Sequence, residues 1–277
     1  MPDLHARWDW YEATFDAFDD AQLGQSLALI FGATVTPGRG RNGYSISYSV
    51  ERDGDMLAQV FERSARPGEV HLYVPAAACD EVVPVVRRQW PVHRVTRADS
   101  AVDFETDFEQ LDRTVSAFAT ARGISHRLMT NSDGGATRYI GSPRSEVMAR
   151  VYKKSEQLRA LHPERASTIP DGIVRAELVV RPNKRDAKEA FAFASPDDAW
   201  GFSKWSRDLS ALVLGIDPPR TVTHFRRPAD DERAMHFLVQ QYGPLMRRRA
   251  QQHGVDAFLA DLVERAALTP QGAAPGL

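Results

Sequence analysis

Three stretches of the 277-residue chain carry charged and phenolic side chains at alternate positions, the spacing that gathers them on one face of a β-strand. In VTRADSAVDF one face holds Arg97, Asp99, Ala101 and Asp103, and the other Ala98, Ser100, Val102 and Phe104. In EVMARVYKK, Met148, Arg150, Tyr152 and Lys154 oppose Val147, Ala149 and Val151; in IVRAELVVR, Arg175, Glu177, Val179 and Arg181 oppose Val174, Ala176, Leu178 and Val180. Paired in one sheet, the polar faces make a surface with carboxylates at Asp99 and Glu177, a phenol at Tyr152, and cations at Arg97, Arg150, Lys154, Arg175 and Arg181. Two carboxylates about 5 Å apart on adjacent strands can share a hard cation such as magnesium or manganese, whereas Asp99 and Asp103 on one extended strand lie about 13 Å apart. Asp99 with Glu177 is thus the candidate metal pair, and Asp103 a supporting or strand-end residue. The same side chains also suit cross-strand arginine–carboxylate pairs on a wet sheet face, and their spacing alone leaves both readings open.

The elements that must position these faces are punctuated by glycine and proline. The first third reads as strands at RWDWYEATF, GYSISYSVER, DMLAQVFERS and EVHLYVP, with an apolar-periodic helix over DAQLGQSLALIFG and a short one over CDEVVPVVRRQW. After the strand at HRVTRADSAVDF, Thr106 and Glu109 have capping-box spacing before a helix with the stripe Phe108, Leu111, Val115 and Phe118. HRLMT, TRYIGS, SEVMARVYKK and GIVRAELVVRP are four further strands, and the remainder reads as helical. Strands and helices thus recur twice in a similar order. This predicts an α+β fold: mostly antiparallel sheets backed by helices, in two similar halves with a helical C-terminal extension. The expected divisions are 1–104, 105–215 for the half carrying the polar strands, 216–268 for the extension, and a disordered tail over 269–277.

Composition sets outer bounds. With 35 basic and 37 acidic residues the formal charge is -2, which excludes a uniformly cationic coat. That sum hides an asymmetry: residues 1–80 hold 6 basic against 12 acidic residues, and residues 138–188 hold 12 basic against 6 acidic. A localised anionic partner fits such a field. Further basic residues, including Arg226, Arg227 and Arg247 to Arg249, lie near the C-terminus. The lone cysteine, Cys79, has no neighbour at metal spacing and reads as a buried thiol. No run of about 18 apolar residues is present, and a cytoplasmic protein is the simplest expectation. Trp200 and Trp205 are spaced for helix packing rather than for stacking on bases. An RNA-binding sheet is a weaker reading, since the exposed strands lack paired aromatics.

In order and spacing, RADSAVDF, TRYIGSPRSEVMARVYKK and RAELVVRP resemble three motifs of the replication initiation factor family of rolling-circle plasmids and filamentous phages. FLVQQYGPLMRRRA is similar to that family's usual ending, and together these motifs cover roughly residues 93 to 250. The resemblance implies an enzyme that binds an origin, single-stranded or cruciform, and nicks one strand with a tyrosine, staying joined to the 5′ phosphate. Partners would include host replication proteins such as a helicase, a second copy of the chain, and no membrane. It implies a divalent ion, magnesium or manganese, at the scissile phosphate, with Arg150, Lys154 and Arg175 stabilising charge beside Tyr152. No His-hydrophobic-His motif occurs among the eight histidines, so carboxylate ligation by Asp99 and Glu177 is expected. DNA contacts are expected from Arg97, Arg181, Lys184, Arg185, Arg226 and Arg227. One departure stands out: where the family carries its nucleophilic tyrosine, shortly after Tyr-x-Lys, this chain has Ser155, Glu156 and Gln157. Either Tyr152 is the nucleophile, with Tyr139 the next candidate, or the chain is a non-catalytic DNA-binding initiator or regulator on the same scaffold.

Overall fold

Each polar strand needs an apolar reverse face to lie on a core, and all three have one. The computed structural model describes residues 5–16, 18, 21–132, 134–216, 218 and 230–268. Ten antiparallel strands form one sheet: β1 (Arg7–Phe15), β2 (Thr34–Arg39), β3 (Ile46–Arg52), β4 (Asp55–Glu62), β5 (Val70–Pro75), β6 (Arg94–Glu105), β7 (His126–Thr130), β8 (Ala136–Ile140), β9 (Val147–Lys153) and β10 (Ile173–Val180). Their spatial order is β2-β3-β4-β5-β1-β6-β10-β9-β8-β7. The fold is α+β, as its sequence pattern implies.

The order contains a repeat. Residues 7–75 give strand, helix α1 (Gln22–Phe31), then four strands ordered β2-β3-β4-β5-β1. Residues 94–180 give strand, helix α3 (Phe108–Ala121), then four strands ordered β7-β8-β9-β10-β6, with helix α4 (Lys154–Leu161) inserted before the last. The two halves meet at the antiparallel pair β1–β6, and a pseudo-twofold axis through Tyr11 and its partner Ala98 exchanges them. In this repeat β6 opens the second half, although the change between halves was expected near residue 104, at its end.

The apolar faces pack as expected. Ala98, Val102, Val174, Ala176, Leu178, Val180, Val147, Ala149 and Val151 join Tyr11, Ala13 and Phe15 in one core. Helix α2 (Ala76–Gln89) buries Val82, Val83 and Val86 in it, along with the Cys79 thiol, which burial pushes up in pKa. Trp200 is also core, its indole N–H donating to Ser100 Oγ at 3.0 Å. Helix α5 (Arg185–Phe191) packs beside β6 and delivers Phe191 edge-on to Trp8. After α6 (Pro196–Ala199), helix α7 (Lys204–Leu214) is the last helix among the described residues of this first compact unit, residues 1–225.

Local details correct two expectations. β2 is absent from the sequence reading because Pro37 interrupts it; on the sheet's outer edge the missing N–H costs no ladder bond. Helix α3 is capped by Asp107, which accepts from Gln110 N at 2.8 Å, rather than by a Thr106–Glu109 box; Glu109 instead binds Lys153 at 2.7 Å. The second unit, residues 226–277, comprises α8 (Asp230–His253) and α9 (Val255–Leu268), parted by Gly254 at φ +84°. No helix among the described residues is long and apolar enough to cross a membrane.

The Tyr-Ile-Gly-Ser string has a structural reason. Gly141 closes β8 at φ +88°, donates its N–H to Ser125 O at 2.7 Å, and a Cβ there would meet Val147 O at 3.1 Å. Gly141→Ala is expected to cost about 1–3 kcal/mol in urea unfolding, because both the backbone angle and the contact oppose it.

Candidate functional site

The polar faces of β6, β10 and β9 come together as the alternation dictates, and β1 joins them through an irregularity. β1 pairs Trp8 with Ser100 and Trp10 with Asp99, leaving Asp9 as an extra residue. This bulge resets the alternation: Trp8 enters the core, while Asp9 and Trp10 reach the polar side. A cavity of about 850 Å³ opens there, lined by residues that include Arg7, Asp9, Trp10, Tyr73, Asp103, Tyr139, Arg150, Tyr152, Lys154 and Arg175.

Two ion clusters adjoin it: Arg7, Asp9, Asp103 and Arg175 of the first line the cleft, and Arg150 of the second. Arg175 faces Asp103 on β6 and Tyr152 on β9, is only 4% exposed, and donates to Asp103 from Nε at 2.5 Å and Nη2 at 2.8 Å, and to Asp9 from Nη1 at 2.6 Å. Arg7 adds a 2.8 Å contact to Asp103. Burial works against the Asp103 charge, yet its bonds to Arg175 and Arg7 hold it below the usual carboxylate range. In the second cluster Arg150 binds Glu177 and lies 3.8 Å from Asp99, which also accepts from Arg97 at 2.9 and 2.5 Å. Asp99 and Glu177 are each 1% exposed.

Tyr152 sits between the clusters. It is 8% exposed, and its hydroxyl donates to Glu177 Oε2 at 3.4 Å. Burial, and next the Glu177 charge, push the phenol up. Glu177 is itself pushed up to about 7 by burial, with Arg150 opposing and Asp99 and Asp9 adding to the rise. Lys154, the first residue of α4, bonds Gln157 Oε1 at 2.7 Å, and its pKa is lowered by burial and then by Arg175. The cleft lining therefore gathers the Tyr152 phenol, the Arg150 and Arg175 guanidiniums and the Lys154 ammonium, with the buried Glu177 as the phenol's titratable acceptor.

The structure corrects the expected Asp99–Glu177 pairing. The register sets Asp99 against Val179 and Glu177 against Ala101, so the carboxylates are diagonal neighbours with Arg150 reaching both. Among the described residues no three His, Cys, Asp or Glu side chains converge on a metal position. A hard cation needs several oxygen ligands free of competing guanidinium, and these donors as arranged do not fit magnesium or manganese. Asp103 belongs to the Arg175 cluster and anchors that arginine.

Of the expected DNA contacts, Arg97 and Arg181 lie at the end of the polar face near Asp99. Burial, and next Arg97, lower the Arg181 pKa, and its Nη1 is buried without a hydrogen-bond partner. Lys184 and Arg185 do not line the cleft. They begin α5, where Arg185 pairs with Glu189 at 2.8 Å. Arg226 and Arg227 lie outside the described residues.

The sequence reading overlooked Arg7, Asp9, Trp10 and Tyr73. A signal was available in RWDWYEATF, where the apolar phase runs Trp8, Trp10 and then jumps to Tyr11, Ala13, Phe15. Such a jump marks a bulge.

No family model matches the sequence. Nor does any curated protein. Among solved structures the chain is similar to one described as "Structure of Rolling Circle Replication Initiator Protein from Geobacillus stearothermophilus", with 20% identity over 68% of this chain and 77% of that one and a TM-score of 0.49.

Proposed function

We propose that this chain initiates rolling-circle replication by binding single-stranded DNA in the cleft and opening one phosphodiester through Tyr152. The observation that carries the reading is the Tyr152 hydroxyl donating to Glu177 beside Arg150, Arg175 and Lys154. Tyr152 Oη attacks phosphorus as its proton passes to Glu177 Oε2. The P–O3′ bond breaks, the 5′ phosphate stays on the tyrosine, and the 3′ oxygen takes a proton from the Lys154 ammonium, whose lowered pKa suits it to the role. Arg150 and Arg175 balance the charge growing on the phosphoryl oxygens. Since the donors do not fit a divalent ion, no step is assigned to one. An origin, a host helicase and a second copy of the chain are the partners this reading entails.

The test is a denaturing gel: the protein is incubated with a pool of single-stranded oligonucleotides of random sequence, labelled at the 3′ end, with manganese, with magnesium, and with chelator. Label travelling with the polypeptide supports the reading, and binding with no adduct in any arm overturns it. The second reading, a DNA-binding regulator without nicking chemistry, is favoured by the burial of the Tyr152 hydroxyl and the rise in its pKa.

Glu177 gives this chemistry a pH signature. Only the carboxylate can accept the proton, so adduct formation should rise with pH and level off above about 7. Glu177→Gln should slow it by about 10²–10⁴-fold and abolish that rise. Stability runs the other way. The folded-state pKa lies above the unfolded one, so the native protein binds the proton more tightly, and the Glu177 contribution is full at low pH and lost as pH climbs through about 7. The difference in unfolding free energy between parent and Glu177→Gln, followed from pH 5 to pH 8, should shift in favour of the variant as pH rises.

A further inference from the structure

The pseudo-twofold relates central positions on the polar face of β6 and β10 to positions on β1 and β5. About the Tyr11–Ala98 centre, Arg97 exchanges with Trp10 and Asp99 with Glu12. The hydrogen bonds correspond: Arg97 Nε donates to Asp99 at 2.9 Å, and Trp10 Nε1 donates to Glu12 at 2.9 Å. One strand further out, Tyr73 opposes Glu12 as Val179 opposes Asp99. Where the second half is ionic or aliphatic, the first is aromatic.

Those aromatics are arranged for use. Trp10 and Tyr73 lie 4.6 Å apart between ring centroids, tilted by 49°, and both line the cleft that holds Tyr152. The expectation that this sheet lacks paired aromatics is thus corrected: the pair forms across β1 and β5, strands far apart in sequence, once the Asp9 bulge turns Trp10 outward. Arg97 stacks on Trp10 at 4.3 Å and Arg41 lies 5.9 Å from the Tyr73 ring; neither arginine lines the cleft, whereas both rings do. The same lining includes Ala76 and Ala77, small side chains that are both exposed. An indole and a phenol in a cleft otherwise rich in charge offer a flat face to a flat, weakly solvated partner.

We infer that Trp10 and Tyr73 form a stacking platform for a nucleobase of single-stranded DNA, a role that rests on the proposed reading of the cleft. Trp10 is three strands from Tyr152, about 14 Å across the sheet, so the stacked base belongs to a nucleotide further along the strand than the one joined to the reacting phosphate. Stacking on an aromatic tolerates any base and fixes the path of the strand, while Arg150, Arg175 and Lys154 hold its phosphate. The platform thereby sets the register of the DNA across the cleft.

The test uses the full chain and a 15-nucleotide oligo-dT. Trp10→Leu and Tyr73→Leu keep apolar bulk but remove the π-face, and each should weaken binding about ten-fold or more in fluorescence anisotropy, with unchanged circular dichroism. Trp10→Phe should bind within about three-fold of the parent while losing the quench of tryptophan emission that oligo-dT causes. Folded Trp10→Leu and Tyr73→Leu proteins that bind like the parent would overturn the inference, as would a quench that survives Trp10→Phe or a parent that does not bind oligo-dT. The two readings fail separately: a parent that shows the Trp10-dependent quench yet forms no adduct keeps the platform and loses the nicking step. Adduct formation undiminished in both leucine variants keeps the nicking step and removes the platform.

Discussion

Tyr152→Phe should yield no covalent adduct at all while binding single-stranded DNA within about two-fold of the parent. The substitution removes one oxygen from a ring 8% exposed and leaves its packing intact, so the fold and the surrounding cations are undisturbed. What is lost is the oxygen to which the proposed reading assigns the phosphotyrosyl bond, and no residual rate is expected from charge stabilisation alone. Glu177 Oε2 loses a donor, but Oε1 keeps its bond from Arg150, so stability should change by less than about 1.5 kcal/mol. Tyr139→Phe is the matched control. Tyr139 lines the same cleft, opposite Arg150 on β8, and Arg127 stacks 5.1 Å from its ring, yet no hydrogen bond ties its hydroxyl to Glu177. Its variant should form adduct normally. An adduct that persists in Tyr152→Phe and vanishes in Tyr139→Phe would move the nucleophile to β8, and an adduct unaffected by either would end the tyrosine reading.

How much of this arrangement was visible in the sequence depends on what each residue's placement requires. The strands β6, β9 and β10 follow from period-two alternation, because burying one face of each is the dominant energy term and leaves the polar set no alternative side. Convergence of Tyr152, Arg150, Arg175 and Glu177 follows once those strands are neighbours. Register does not follow. Asp99 and Glu177 needed to be directly opposed to share an ion, and a shift of two residues instead places Arg150 between them. Nothing local encodes that shift; it is set by the summed packing of a twelve-residue strand against two partners. Asp9 and Trp10 were hidden for a different reason, since a bulge breaks the very alternation used to read a strand. Asp107 displaced Thr106 as the α3 cap by a single position, a choice between two good capping residues that only the path of the chain settles. The repeated topology was legible as an order of elements, while the matching of positions across the axis needed the Tyr11–Ala98 register.

The largest loss of stability is expected from Arg175→Ala, about 3–5 kcal/mol in chemical denaturation. Arg175 is the shared partner of Asp9 and Asp103, with three hydrogen bonds of 2.5 to 2.8 Å. Removing it leaves two partly buried carboxylates close together, with Arg7 still bonded to Asp103 and the Lys154 charge acting on both. An apolar core deletion of equal size would lose packing alone; here the desolvation of both acids is left without its offset. Arg175→Lys should recover little, because an ammonium cannot reproduce the fork that holds both Asp103 oxygens while reaching Asp9. Asp9→Asn combined with Asp103→Asn in the Arg175→Ala background should recover part of the loss by neutralising the orphaned charges. A loss below about 1 kcal/mol would mean that solvent already relieves this cluster, and that the positive field beside Tyr152 is weaker than its hydrogen bonds imply. The cluster also couples two parts of the cleft: Asp9 is held to Arg175 from the bulge that turns Trp10 outward, so releasing that contact should loosen both the proposed phosphate site and the aromatic pair at once. Arg175→Ala is therefore expected to weaken oligo-dT binding by more than the loss of one phosphate contact, whereas Lys154→Ala, which leaves the bulge untouched, should cost that single contact only.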